Sequence, residues 1–116
     1  MKKITLGSLE RILMGYDKYN KKKTLTVRTC CTGTKYGSYS LLYYLNIDHD
    51  GTLHMNDYKI RNNQITLAFC AGNRLDSEYP VTDKQLDMMY KIVELINKLG
   101  IKMKLTLFHQ FNNNRG

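Results

Sequence analysis

The clearest hydrophobic pattern lies in the last third of the chain. Apolar residues over Leu86–Leu99 recur at spacings of three and four, which predicts an amphipathic helix of about 17 residues with a wide buried stripe. Thr82 and Gln85 form a capping-box pattern before it, and Gly100 supplies a left-handed stop after it. The residues over Ile101–Phe108 then alternate between apolar and polar. This period of two predicts a half-buried strand.

Shorter segments with a period of two fill the middle of the chain. Short connections with turn chemistry predict that consecutive segments pair in antiparallel fashion, as a meander of four strands. A short helix is predicted near the N-terminus, from about Ser8 to Gly15. The four strand segments are Thr24–Cys31, Ser38–Ile47, Thr52–Tyr58 and Gln64–Cys70.

These elements predict the α+β fold class. We expect a single domain over residues 1–111, with an antiparallel sheet of about five strands against one long and one short helix. Residues 112–116 contain no apolar side chain and are expected to form a frayed tail. Apolar residues make up 42% of the chain and charged residues 24%, which is typical of folded globular domains.

The sequence contains no obvious membrane or export segment. No apolar run approaches the roughly 18–20 residues that span a bilayer. The first residues begin like a signal peptide, with two lysines, but Glu10 and Arg11 interrupt the apolar region that a signal peptide requires. We therefore expect a cytoplasmic protein.

The net charge of +8 is unevenly distributed. Residues 1–35 carry nine basic and two acidic side chains, residues 36–83 three and six, and residues 84–116 six and two. One end of the molecule should therefore present a positive surface. Such a surface attracts polyanions because binding releases the counterions of their phosphates, and nucleic acid is the commonest candidate. The alternative is a solubilising lysine-rich loop at Tyr19–Lys23 that binds nothing.

Three cysteines, Cys30, Cys31 and Cys70, are interpreted as reduced thiols in packing positions. No CxxC or Cys/His ligand spacing is present, so we expect no structural metal and no cofactor. A nucleophile–base pair of Cys30 or Cys31 with His54 or His109 is conceivable, but no spacing favours it.

One stretch does resemble a known catalytic motif. Residues 48–53 read Asp-His-Asp-Gly-Thr-Leu after a hydrophobic strand, which resembles the motif of haloacid-dehalogenase-type phosphotransferases. The resemblance covers about ten residues and implies that Asp48 is the nucleophile, Asp50 the acid/base and Mg²⁺ the phosphate counter-ion.

The residues beyond the motif favour a turn instead. The family's fold requires a helix after the motif strand, whereas the residues that follow Gly51 alternate as another strand. A four-residue hairpin loop explains the motif fully, because the aspartates can bond the local backbone and Gly51 can adopt a positive φ. We interpret Asp48 and Asp50 as turn residues and expect no catalytic site.

The second notable feature is a cluster of tyrosines beside basic residues. The chain contains 9 tyrosines and no tryptophan. Exposed tyrosines next to cations can stack on unpaired bases or anchor a protein interface, although strands favour tyrosine in any case. We expect Tyr44 to face outward, and Lys102 and Lys104 to extend the surface if the last strand lies nearby. The predicted binding surface comprises Lys21, Lys22, Lys23, Arg28, Lys35, Tyr36, Tyr39, Tyr44, Lys102 and Lys104.

These observations favour a small, basic, non-enzymatic binding protein that contacts nucleic acid or a nucleoprotein machine. The abundance of Lys, Asn, Ile and Tyr is typical of AT-rich genomes, so a phage or mobile-element accessory protein is plausible, for example an inhibitor of a CRISPR effector. One alternative is a protein–protein interaction module, including a homodimer formed through an exposed strand edge. A second alternative is Mg²⁺-dependent phosphotransfer through Asp48 and Asp50.

Overall fold

The computed structural model describes residues 1–57, 59–74 and 76–107. The predicted frayed tail and His109 lie outside the described residues. The elements follow one another as β1 Lys2–Ile4, α1 Leu6–Asn20, β2 Leu25–Cys31, β3 Leu45–Ile47, β4 Leu53–Met55, β5 Gln64–Phe69, α2 Asp83–Lys98 and β6 Met103–Leu107.

The strands form one mixed sheet in the order β1-β4-β3-β5-β2-β6. Strand β4 runs antiparallel to both of its neighbours, β1 and β3. The pairs β3–β5, β5–β2 and β2–β6 are all parallel. Thr29 in β2 therefore lies opposite Leu67 in β5 and Leu107 in β6. Strand β2 is an interior strand whose neighbours both come much later in the sequence.

One face of the sheet forms the core together with both helices. Alternate strand residues such as Val27, Ile65 and Phe69 are fully buried there. Helix α1 contributes Leu9 to the same cluster and helix α2 contributes Ile92. The apolar stripes of both helices therefore share one side of the sheet, as the period-two and period-3.6 patterns require.

The α+β class and the single compact domain with a sheet and two helices are confirmed. The antiparallel meander is corrected to a six-stranded sheet in which only β4 opposes the other strands. Alternation reports that one face of a strand is buried, but it does not report the direction of the neighbouring strand. Of the predicted consecutive pairings, only the hairpin of β3 and β4 is present.

The largest boundary difference lies in the predicted strand at residues 38–47. Only Leu45–Ile47 is a strand, and the residues before it form an irregular stretch that we call the covering segment, residues 33–44. This segment lies on the sheet face away from the helices. There Ser40 and Asn46 exchange two hydrogen bonds, at 2.9 and 3.1 Å, and the rings of Tyr39 and His54 lie 4.1 Å apart.

The helix boundaries are closer to the prediction. Helix α2 begins with the predicted capping box, since the Gln85 N–H donates to the Thr82 hydroxyl and the Thr82 N–H donates to the Gln85 side chain. Gly100 has a φ of 71° after its end. Helix α1 is longer than predicted and includes Tyr19 and Asn20. Strand β1 had no predicted counterpart. No helix in the described ranges is both long and apolar enough to cross a membrane.

Two glycines should respond in opposite ways to substitution by alanine. Gly15 lies within helix α1, and a Cβ there would meet nothing within 4 Å. Gly15→Ala should therefore raise the free energy of unfolding by about 0.5–1 kcal/mol through helix propensity alone. Gly51 has a φ of 83°, and a Cβ there would lie 3.2 Å from the Lys84 carbonyl oxygen. Gly51→Ala should lower stability by about 1–2 kcal/mol.

Urea unfolding of the parent and the two variants measures both changes. A Gly15→Ala variant that is less stable than the parent would contradict the open surroundings that the structure gives to this position.

Candidate functional site

The motif at residues 48–53 forms the turn between β3 and β4. The Asp48 N–H donates to the Thr52 carbonyl at 2.9 Å, and the Gly51 N–H donates to the Asp48 carbonyl at 2.8 Å. The Asp50 side chain accepts from the Thr52 N–H at 2.9 Å. Together with the positive φ of Gly51, these bonds confirm the predicted hairpin turn.

The Asp48 carboxylate is buried, with a relative exposure of 7% for the residue. Its Oδ1 accepts from the Gly37 N–H at 2.9 Å and from the His49 N–H at 2.7 Å, and lies 3.0 Å from His49 Nδ1. Its Oδ2 accepts from the Tyr39 hydroxyl at 2.9 Å. Burial raises the pKa of Asp48, but these hydrogen bonds outweigh it and bring the pKa down to about 2. Asp48 therefore anchors the covering segment to the hairpin.

The same carboxylate was the candidate nucleophile. It follows β3, at the carboxyl ends of the parallel strands, where open α/β sheets often bind ligands. Ligand atoms of Asp48, His49 and Asp50 also lie within 4.8 Å of one another, close enough to hold a metal ion. However, both Asp48 oxygens already accept hydrogen bonds from the chain itself, and a nucleophile needs an accessible oxygen. The hydrogen bonds of Asp48 therefore give this residue a structural role in the turn.

The tyrosines of the predicted surface make internal contacts. The Tyr36 hydroxyl donates to the Pro80 carbonyl at 2.7 Å, and its ring stacks on His49 with centroids 4.8 Å apart. The Tyr39 hydroxyl donates its hydrogen bond to Asp48, as described above, and the residue remains partly exposed. Tyr44 is buried rather than outward-facing, because the strand begins only at Leu45 and Tyr44 still belongs to the covering segment. The spacing rule for strands does not apply to such a segment.

The cysteines do not form a nucleophile–base pair with His54. All three thiols are buried, and burial raises the pKa of Cys31 and of Cys70 to about 12. The register places Cys30 and His54 in one row, but three strand spacings apart, or about 14 Å. These positions agree with the interpretation of the cysteines as packing residues.

Seven exposed cations lie at one end of the sheet, where the parallel strands begin. The backbone joins three stretches there: the Leu25 N–H donates to the Lys102 carbonyl at 2.7 Å, and the Thr26 N–H donates to the Asn63 carbonyl at 2.7 Å. We call the exposed cations of these stretches the basic rim. The basic rim comprises Lys21, Lys22, Lys23, Lys59, Arg61, Lys102 and Lys104.

Few negative charges oppose the basic rim. In the described part of residues 20–25, 56–64 and 100–104, the only acidic side chain is Asp57. Its Oδ2 lies 2.9 Å from Arg61 Nε, so this one pair is neutralised. The remaining cations are lysines on exposed positions. Outside these stretches, Asp17 lines one depression together with Lys21. The rim therefore presents a net positive surface to solvent.

The rim overlaps only part of the surface predicted from sequence. Lys102 and Lys104 were included on the condition that the last strand lies near Lys21–Lys23. Strand β6 pairs with β2, so this condition is met. Arg28 on β2 points away from the helices and pairs with Thr106, two residues beyond Lys104. Lys35 and Tyr36 follow the opposite end of β2 and lie near the turn at Asp48. The predicted surface is thus divided between the two ends of the sheet.

Sequence reasoning missed Lys59 and Arg61. Both precede β5, and the parallel pairing of β5 with β2 brings them to the end of the sheet where Lys21–Lys23 lie. The turn at Asn62-Asn63, where both residues have positive φ, was the available signal for this position. This signal identified a turn, but it did not indicate the parallel direction of β5, which brings the turn to this end of the sheet.

Two exposed leucines lie near the same end of the molecule. Leu41 and Leu42 in the covering segment have relative exposures of 70% and 87%. They line a groove of about 300 Å³ whose opposite side includes Arg61 and Gln64. The side chain of Asn56 donates to the Leu41 carbonyl and holds this part of the segment in place. An exposed apolar pair beside cations is a feature of many interaction surfaces.

Comparison of the chain with protein-family models, with curated proteins and with solved structures found no match. The function is therefore argued from the geometry of this surface.

Proposed function

We propose that this chain is a small, non-enzymatic, cytoplasmic binding protein that contacts nucleic acid through the basic rim. The observation behind the proposal is the convergence of three chain stretches that place seven cations at one end of the sheet. Asp57 neutralises only one of them. A phosphate backbone supplies the complementary charge at regular intervals, and its binding is favoured by release of condensed counterions.

The shape of the rim also supports a polyanion as partner. Its lysines are exposed and belong to turns and to the edge strand β6, so they can reach phosphates without moving the core. Lys104 and Arg28 continue the positive surface along the face away from the helices. Contacts to phosphates position a protein on nucleic acid without reading sequence, and the rim has the chemistry for that type of contact.

The biological role attached to this proposal is that of an accessory protein of a phage or mobile element. A compact basic protein that binds nucleic acid or a nucleoprotein complex can obstruct a host machine, such as a CRISPR effector. The composition of the chain supports this part of the proposal, and no side chain specifies it.

A protein partner is the second candidate. Leu41 and Leu42 are exposed next to a groove of about 300 Å³, and an apolar pair of this kind can anchor a protein interface. Self-association is one form of this candidate, because β6 lies at the edge of the sheet. Binding through the leucines would depend weakly on salt, whereas binding through the basic rim would weaken strongly as the salt concentration rises.

The test is a fluorescence-anisotropy titration of the protein with labelled DNA and RNA, single-stranded and duplex, at several salt concentrations. We expect affinity to fall steeply, by an order of magnitude or more, between about 50 and about 200 mM salt. Binding whose affinity is independent of salt would contradict a rim that works through phosphates. No binding at the lowest salt would also contradict it and would favour the protein-partner candidate.

A further inference from the structure

A slot runs along one flank of helix α1, next to the basic rim. Arg11, Gly15 and Tyr19 follow one another at intervals of four residues, so they lie on one stripe of the helix. All three are exposed. The slot has a volume of about 440 Å³, and Lys59 and Ile60 form its opposite side.

Gly15 lines this slot between Arg11 and Tyr19. A Cβ at Gly15 would meet nothing within 4 Å, so packing does not require a glycine here. Glycine inside a helix is less stable than alanine, and its presence at this position has no explanation within the fold. Its effect is to leave a gap the width of a side chain between Arg11 and Tyr19. The two residues are eight apart, or about 12 Å along the helix axis.

Tyr19 is the most exposed tyrosine of the helices, with a relative exposure of 79%. Lys18 Nζ lies 5.6 Å from the centre of its ring, and Lys21–Lys23 follow directly in the chain. An aromatic ring close to cations is an arrangement by which proteins bind single-stranded nucleic acid, with bases on the ring and phosphates on the cations.

The acidic residues of α1 lie on its other flank. Glu10 Oε2 is 4.0 Å from Lys98 Nζ of helix α2. Asp17 lines a separate depression with Lys18, Lys21 and Leu99, on the side where α1 faces the end of α2. The flank that carries Arg11 and Tyr19 is therefore free of the negative charges of its own helix. Arg11 and Lys59 give the slot positive walls.

We infer that this slot receives an unpaired base of single-stranded nucleic acid. Tyr19 supplies the stacking surface, the Gly15 backbone lets the base approach the helix, and Arg11 and Lys59 hold the adjacent phosphates. The inference rests on the proposed nucleic-acid-binding function and adds a preference for single strands to it. It also moves stacking from Tyr36 and Tyr39, whose hydroxyls are bonded within the protein, to a tyrosine in the rim's own surroundings.

The test compares the binding of a labelled single-stranded oligonucleotide and its duplex, at one salt concentration, among the parent and five variants. Tyr19→Ala should weaken single-strand binding about tenfold or more and leave duplex binding within about twofold. Tyr19→Phe should bind like the parent. Tyr90→Ala is the matched control, because Tyr90 is 58% exposed on α2 and is not among the residues that line the slot.

Gly15→Leu fills the slot and should also weaken single-strand binding while the midpoint of thermal unfolding stays equal or rises, since leucine is a better helix former than glycine. Met14→Leu places the same side chain one position away, on the other flank, where Met14 is 55% exposed, and should have no effect. If Tyr19→Ala or Gly15→Leu binds single strands like the parent, the slot inference is overturned while salt-dependent binding of the parent still stands. A parent that binds neither form removes both proposals.

Discussion

Replacing Lys21, Lys22 and Lys23 by glutamate is expected to lower the affinity for nucleic acid by about two orders of magnitude or more at low salt. Each lysine that contacts a phosphate contributes roughly one unit to the salt dependence of log K, so the slope should fall by about three. The three glutamates additionally repel the phosphates. All three positions are exposed beyond the end of α1, so the fold should be unaffected.

Helix α2 offers a control with the same change in net charge. Lys84, Lys91 and Lys98 are exposed and seven residues apart, so they form one stripe of α2, and none of them belongs to the basic rim. Their replacement by glutamate should change affinity several-fold at most, through the overall field of the protein. The measurement is the anisotropy titration at each salt concentration. Equal losses in the two triple variants would mean that net charge, rather than the rim, determines binding.

Asp48→Asn is expected to destabilise the fold by about 2–3 kcal/mol at neutral pH. The pKa of Asp48 is about 2 in the folded protein, against about 3.9 in an unfolded chain, and each unit of difference corresponds to about 1.4 kcal/mol. Because the folded pKa is the lower one, this stabilisation is present above about pH 4 and is lost as the pH falls through about 2. Asparagine also replaces an accepting oxygen by a donor among the donors of Gly37, His49 and Tyr39.

Urea unfolding of the parent and Asp48→Asn, from pH 7 down to about pH 2, should show two curves that converge at the acidic end. Asp50→Asn is the matched control within the same turn. Its amide oxygen can still accept from the Thr52 N–H, and the exposed position should change stability by about 0.5 kcal/mol or less. A constant difference between parent and Asp48→Asn at every pH would exclude the charge of Asp48 as the source of stability.

Local chemistry determined which elements could be predicted. The capping box of α2, the left-handed Gly100 and the turn at Asp48 each depend on residues within a few positions, and all are present in the structure. Strand direction depends on residues far apart in the chain. The pairing of β2 with β5 and β6 is parallel, and the alternation of Leu25 and Val27 is the same in either direction.

The candidate site shows the same limit. The exposure of Lys21–Lys23 followed from sequence, because a lysine-rich turn has no other stable position. The sequence-based surface lacked Lys59, because Lys59 reaches the basic rim only through the parallel pairing of β5 with β2. The periodicity of the sequence does not indicate this pairing. The position of Tyr19 on a helix depended on the length of α1. The burial of Tyr44 depended on the covering segment, which alternates like a strand without being one.

The position of β2 between β5 and β6 has a consequence for biosynthesis. Thr29 leaves the ribosome early, but its partner Leu67 follows only after half of the chain, and Leu107 follows near its end. Until then β2 has no neighbouring strands. The backbone N–H and C=O groups along both of its edges are unpaired and can bond to other nascent chains. Sheets whose paired strands lie far apart in the sequence also fold slowly, on the order of milliseconds to seconds. The sheet therefore cannot be completed until β6 has been synthesised, and chaperones that hold unpaired strands should raise the yield of folded protein.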